Sequence, residues 1–251
     1  MNKINNLFLF FFLLFTFFIY TNSPVSNQND SLWNSFTTYS LIKEQNFDLN
    51  EFEYLFTKTF YANLYTVGDR YYNYYPYGIS ILSIPFVYSY DLFFKLKGKN
   101  VLEELEKHAI KIDKFVSTCF ILITSVLMFQ IGKILELDLK RIYLSLFIFL
   151  FATVNFSVLS RGLWQHTALS LLYTLVIYLY LKNQFVLLSI PLYFSYLVRP
   201  TSLVFILFLS IICIFKLKKK SYLFILLSTF VIILFISINQ INFKNWNHPY
   251  Y

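Results

Sequence analysis

Residues 200–240 read PTSLVFILFLSIICIFKLKKKSYLFILLSTFVIILFISINQ. Two apolar runs, 200–215 and 221–240, meet at Lys216, Lys218, Lys219 and Lys220. A helix on the surface of a soluble protein keeps a charged face, and neither run has one. About 20 consecutive apolar residues suit the hydrocarbon core of a bilayer, and lysines collect on its cytoplasmic side. The stretch therefore predicts two membrane helices joined on the cytoplasmic side by the lysine cluster.

The same pattern extends backwards along the chain. Apolar runs occur at 7–20, 113–134, 142–159, 167–182 and 184–198, broken by short polar connections. Several are shorter than an ordinary bilayer requires, and tilt or local thinning makes up the difference. In lipid the backbone must satisfy its own hydrogen bonds, so these runs are read as helices. The chain is 57% hydrophobic and 14% charged, with mean hydropathy +0.57. Soluble domains carry about 25% charged residues. This chain has too little charge to coat a water-soluble globule and enough for loops between spans. The net charge of +8 sits in short basic clusters, which marks orientation in a membrane and no nucleic-acid partner. Cys119 and Cys213 lie inside apolar runs, so neither a disulfide nor a metal site is expected.

Residues 21–112 are mostly polar and hold most of the acids. Within them, 31–56 reads as one or two amphipathic helices. Residues 76–96, PYGISILSIPFVYSYDLFFKL, are apolar but interrupted by Pro76, Gly78, Pro85 and Asp91. The basic residues decide how this segment is read. If it lies on the outer surface, Lys133, Lys140, Arg141, Lys182 and the 216–220 cluster all face the cytoplasm; if it crosses, they all move outside. The expected architecture is thus an all-α, polytopic transmembrane bundle of about seven spans. A first span at 7–20 precedes a long extracytoplasmic loop, 21–112, carrying amphipathic or interfacial helices. Six further spans occupy 113–240 and an outer tail 241–251.

This topology gathers the loop 21–112, the turn Ser160–His166, the turn Arg199–Thr201 and the tail on one side. Arg161 and Arg199 oppose the positive-inside bias, so each requires an explanation. Two readings stand for each. Arg161 with Trp164 and His166 is either an interfacial anchor or an anion or sugar site with the indole stacked on an apolar ring face. Arg199, just before Pro200, either snorkels or grips phosphate oxygens with its planar fork. Asp30, in Asn29-Asp30-Ser31, is a helix N-cap or solvated acid on its own pattern. Glu44, Asp48, Glu51 and Glu53 read as a solvated helical face, and His108 as solvated. Asp69 and Arg70 beside Tyr71, Tyr72, Tyr74 and Tyr75 read as a pocket lining or, more simply, a tyrosine-rich interfacial belt. No phosphate-binding glycine loop, Ser/His/Asp arrangement or histidine cluster is present.

Several of these segments occur in an order that resembles a known pattern. They are Asp30, Ser40-Leu41-Ile42, Phe47-Asp48-Leu49-Asn50-Glu51-Phe52, Tyr75-Pro76-Tyr77-Gly78, Ser160-Arg161-Gly162-Leu163-Trp164-Gln165-His166 and Val198-Arg199-Pro200-Thr201. Together they resemble the N-terminal portion of GT-C-type membrane glycosyltransferases, the superfamily of protein O-mannosyltransferases and lipid A aminoarabinose transferases. The resemblance implies transfer of a sugar from a polyprenyl-phosphate carrier to a glycan, lipid or protein acceptor outside the cytoplasm, in a bacterial cell membrane. It implies Asp30 as the catalytic base or acceptor-positioning acid, Arg161 and Arg199 as phosphate ligands, and Trp164 and His166 as walls of the donor pocket. Many members carry a second acid in the second outer loop, where this chain has only Arg161 and His166, so neither metal nor cofactor is expected. Such proteins continue through further spans, which makes a truncated chain the expectation. A transporter or flippase for a lipid-linked sugar and a catalytically silent fragment or assembly subunit are the competing readings.

Overall fold

The computed structural model describes residues 2–25, 29–56, 63–218, 221–246, 248 and 250. Among them the chain is mostly helical. In order come α1 (Asn2–Asn22), α2 (Asn34–Lys43), α3 (Glu53–Phe56), the strands β1 (Leu64–Val67) and β2 (Arg70–Asn73), then α4 (Gly78–Leu96), α5 (Val101–Ile134), α6 (Leu139–Phe151), α7 (Gln165–Leu181), α8 (Phe185–Val198), α9 (Leu203–Leu217) and α10 (Ser221–Phe243).

Five helical stretches are long and apolar enough to cross a membrane: Asn5–Asn22, Gly78–Leu96, Val101–Ile134, Pro200–Leu217 and Ser221–Phe243. Helices α7 and α8 are apolar but shorter. Large apolar side chains point away from the protein along α1, α9 and α10, with Phe15 61%, Val204 76%, Phe208 63% and Leu226 64% exposed. A soluble monomer does not present continuous apolar surface on this scale, whereas lipid solvates it.

Contacts fix the direction of each helix. Tyr143 donates to the carbonyl of Asn5 at 3.1 Å and Lys133 to Asn6 at 3.5 Å. At the other end of α1, Tyr20 donates to the Leu150 carbonyl and Lys114 to the carbonyls of Thr21 and Ser23. Helices α1 and α6 are therefore parallel and α5 runs against both. Helix α7 leaves the 160–166 turn, and α8 returns to place Arg199 beside His166. Helix α9 departs again, so that Lys216 lies 4.5 Å over the Tyr180 ring at the far ends of α7 and α8. Helix α10 comes back, and its Asn239 accepts from the Tyr77 hydroxyl at 2.9 Å.

Three elements depart from the sequence reading. The chain is not wholly α-helical: β1 and β2 form an antiparallel hairpin with Val67 opposite Arg70. Its two-residue turn is Gly68-Asp69, and Gly68 has φ +60°, which glycine adopts at no steric cost. Helix α5 begins at Val101 rather than near 113, capped by the Asn100 side chain, which accepts from the Leu102 N–H at 3.1 Å. Its 34 residues span about 51 Å, well beyond a ~30 Å hydrocarbon core. The run 142–159 is not one helix. It breaks after Phe151, where the Thr153 hydroxyl and the Asn155 amide both donate to the Phe149 carbonyl, and resumes as a π turn over Asn155–Leu159. Short polar side chains compete with the helix for its own carbonyls at this point.

Helix α2 also differs from an amphipathic helix with a wet face. Asn34 through Ser40 are all buried. The hydroxyls of Thr37, Thr38 and Ser40 return to carbonyls four residues back, at 2.9, 2.7 and 3.1 Å. Each buried polar group thereby has a partner, which removes most of the cost of burial. Trp33, Phe36, Leu49, Phe52 and Phe56 then form an aromatic core with α4, α5 and α7. Helix α4 enters this core against α8, where Gly78 leaves no room for a side chain. A Cβ there would stand 2.5 Å from the Leu197 carbonyl.

Candidate functional site

The candidate site forms where α1 ends, the 160–166 turn begins α7, and α8 stops. Pro200 stops α8. The residue before a proline is pushed out of helical conformation, and Arg199 is extended at φ −157°, ψ 124°. Its guanidinium leaves the helix end and donates to the His166 ring at 2.7 Å. His166 stands in the first turn of α7. Burial, and then the Arg199 charge, hold its pKa below the usual histidine value, while the Asp30 charge opposes them. A neutral ring is what a guanidinium donor requires as partner.

Asp30 lies in a 3-10 turn, Asn29–Ser31, and is exposed. Its carboxylate accepts from the Tyr75 hydroxyl at 2.7 Å. Burial first, and then that hydrogen bond, push the Tyr75 pKa upward, so the phenol keeps its proton and donates. The Asp30 charge also reaches the His166 ring, which Arg199 contacts directly.

A buried amide network ties this acid to the 160–166 turn. The Asn73 side chain accepts from the Tyr75 N–H at 3.1 Å and donates to Asn34 at 2.9 Å. Asn34 in turn donates to the Leu163 carbonyl at 2.8 Å. Ser117 donates to the Gly162 carbonyl at 2.6 Å, and Thr167 to that of Leu159 at 2.9 Å. A turn gripped at two carbonyls from α2 and α5, and closed by Thr167 onto Leu159, is held in one geometry, which is how a site is pre-organised.

The five residues singled out in the sequence do not all converge. Asp30, His166 and Arg199 come together. Arg161 belongs to a second cationic group: its Nε donates to the Phe156 carbonyl at 3.3 Å, its guanidinium lies over the Phe156 ring, and its charge reaches Lys114. Trp164 packs on the cluster of Tyr20, Ile121, Leu150 and Leu159. Among the described residues, neither its buried indole Nε1 nor the buried amide Nε2 of Gln165 has a hydrogen-bond partner.

Asn34 and Asn73 escaped the sequence reading, and Tyr75 entered it only as part of a pocket lining or interfacial belt. The Tyr75 motif was visible, but nothing local linked it to an acid 45 positions earlier. Of the acids read as a solvated face, Glu44 and Glu53 are exposed, but Asp48 and Glu51 are not. Asp48 is buried and pairs with Arg70 at 3.3 Å, and Glu51 accepts from Ser40. Burial raises the Glu51 pKa, against that hydrogen bond. His108 pairs with Glu104 at 3.4 Å and stacks on Phe94. Asp69 and Arg70 line a polar cleft of about 390 Å³ with Tyr72, Asn242 and Lys244.

An apolar cavity of about 260 Å³ opens between α8, α9 and α10, lined by Tyr196, Leu197, Leu203, Val231 and Phe235 among others. Leu197 and Leu203 lie on either side of Arg199 in the chain, but Arg199 itself does not line the cavity. Comparison with family models, with curated proteins and with solved structures finds no match for this chain.

Proposed function

We propose that this chain is a membrane glycosyltransferase that moves a sugar from a polyprenyl-phosphate carrier to an acceptor hydroxyl outside the cytoplasm. The observation carrying the reading is that the His166 ring is contacted by one fork-shaped cation, Arg199, and feels the charge of one carboxylate, Asp30, at one end of an apolar bundle.

The chemistry explains why both are needed. The acceptor oxygen attacks the anomeric carbon and the bond from that carbon to the carrier phosphate breaks, its electron pair staying on the phosphate oxygen. Asp30 takes the acceptor's proton. The products are the glycoside and the polyprenyl phosphate. The phosphate gains a negative charge as the bond breaks, so a guanidinium beside it binds the transition state more strongly than the substrate. Arg199 is the primary phosphate ligand in this reading. Arg161 and Lys114 supply background positive potential, and the unpartnered N–H groups of Trp164 and Gln165 are donors for phosphate or sugar oxygens. The apolar cavity between α8, α9 and α10 has the lining an isoprenoid tail would need.

The same reading sets a topology of seven spans: α1, α5, the α6 region, α7, α8, α9 and α10. Helix α4 lies along the outer surface despite its apolar length. Two contacts support this. Gly78 at its start touches Leu197 and Val198 beside Arg199. Phe94 near its end stacks on His108, in the part of α5 that extends past Lys114 and the end of α1. The resemblance to GT-C-type enzymes in motif order agrees with both. Asp30→Asn in reconstituted vesicles tests the proposal: loss of sugar transfer from polyprenyl-phosphate-hexose with unchanged folding supports it, and unchanged transfer removes Asp30 from the chemistry.

A further inference from the structure

Five tyrosines fall within residues 71–77, and the fold divides them. Tyr71 packs on Phe56 at 4.9 Å, Tyr72 is 2% exposed against Phe243, and Tyr77 is buried with its hydroxyl on Asn239. Tyr74 and Tyr75 join none of the core clusters. They turn outward and meet Tyr250, which arrives from beyond α10. The three ring centroids lie 5.6 Å apart for Tyr74–Tyr75, 5.5 Å for Tyr74–Tyr250 and 5.6 Å for Tyr75–Tyr250. Tyr74 is 38% exposed, and the Tyr75 hydroxyl is committed to Asp30 at 2.7 Å.

We infer that Tyr74, Tyr75 and Tyr250 form a stacking platform for a neutral saccharide, which presents the hydroxyl that Asp30 deprotonates. A pyranose has one face of C–H groups and a rim of hydroxyls. The first packs on an aromatic ring and the second donates to a carboxylate, so rings and acid side by side match both. An anionic ligand does not fit here, because the charged partner at the platform is itself a carboxylate. A headgroup belt is also a poorer fit. Belt tyrosines sit in the interface as amphipathic anchors and have no need of an acid. Tyr250 reaches the platform because the segment behind it is anchored: Asn239 donates to the Trp246 carbonyl at 3.0 Å, and His248 is buried against Tyr77 and Phe243. The inference rests on the transferase reading for the role of Asp30 and deepens it by naming the acceptor class.

The experiment uses the full chain in phosphatidylcholine nanodiscs, with three soluble probes: maltotriose, mannotriose and chitotriose. Saturation-transfer NMR and calorimetry read binding, and hydrolysis of polyprenyl-phosphate-hexose is measured on the same samples. At least one probe is expected to bind. Tyr74→Ala and Tyr250→Ala are each expected to weaken that binding tenfold or more, and Tyr74→Phe, which keeps the ring, to stay within twofold. The inference is overturned if no probe binds, if the alanine variants bind as the wild type does, or if they change only the partition of the protein into vesicles. Failure of the parent reading looks different: probes bind to the wild type as expected, but no carrier-linked hexose is ever cleaved.

Discussion

Tyr75 donates its phenolic hydrogen to the Asp30 carboxylate at 2.7 Å, joining the hairpin's exit to the turn that follows α1. The Tyr75 backbone is also linked through Asn73 and Asn34 to the Leu163 carbonyl, so hydrogen bonds connect the acid to the turn that carries His166.

Removing that bond while keeping the ring isolates its contribution. A hydrogen bond to a charged group is worth about 1.5–3 kcal/mol. Tyr75→Phe is therefore expected to lower sugar transfer roughly 10- to 100-fold, less than Asp30→Asn. Equal activity of Tyr75→Phe and wild type in a vesicle transfer assay would show that the bond does not position the acid.

Arg161 and Arg199 are expected to separate. Arg199 adjoins His166, and Arg161 is turned towards Phe156 and Lys114. Lysine keeps the charge but loses the planar fork. Arg199→Lys is expected to reduce kcat/KM for the carrier-linked donor about 10- to 100-fold, with Arg161→Lys affected less. The reverse order would move the phosphate site to the Arg161 side.

The His166 contact carries a pH dependence. Its pKa is depressed in the fold by burial and by Arg199. Above the ordinary histidine value of about 6.5 the ring is neutral whether folded or not. Below it the unfolded chain binds a proton first, so the contact loses stability as pH falls, and it breaks once the folded ring is protonated beside Arg199. The prediction is an acid limb in the donor-hydrolysis profile, below pH about 6.5, that is absent in His166→Asn. An identical limb in the variant would assign the titration elsewhere.

Gly78 tests the packing that holds α4 on α8. A methyl group there would meet Leu197 backbone atoms at 2.5 Å and the Val198 N at 2.6 Å, and backbone cannot swing aside as a side chain does. Gly78→Ala is expected to cost about 1–3 kcal/mol, read as a lower thermal midpoint in detergent. Gly132→Ala is the comparison, because its nearest neighbour is the Ile142 side chain at 2.7 Å, which can rotate. Equal effects of the two would contradict the described contact.

The apolar runs made the helices legible, because lipid leaves a polypeptide few other forms. Pro200 likewise marked where α8 ends, and so where Arg199 emerges. Helix α2 was not legible. Its sequence, NSFTTYSLIK, is polar enough to suggest a wet face, yet seven of its residues are buried because hydroxyls and Asn34 find partners supplied by the tertiary fold. The hairpin was hidden for a related reason: Gly68-Asp69 is a turn signal, but four-residue strands rich in tyrosine carry no alternation of their own. Asp30 stood out only by its motif, and its link to Tyr75 depends on how distant segments pack.

The account rests on Asp30, Arg161 and Arg199 facing one compartment, and cysteine accessibility measures this directly. With Cys119 and Cys213 replaced, single cysteines at positions 30, 161 and 199 should react with a membrane-impermeant maleimide added outside intact cells. Cysteines at 136 and 183, in the turns after α5 and α7, should react only after the membrane is opened. Labelling of 30 and 199 from opposite sides would contradict the shared site and, with it, the proposed transfer chemistry.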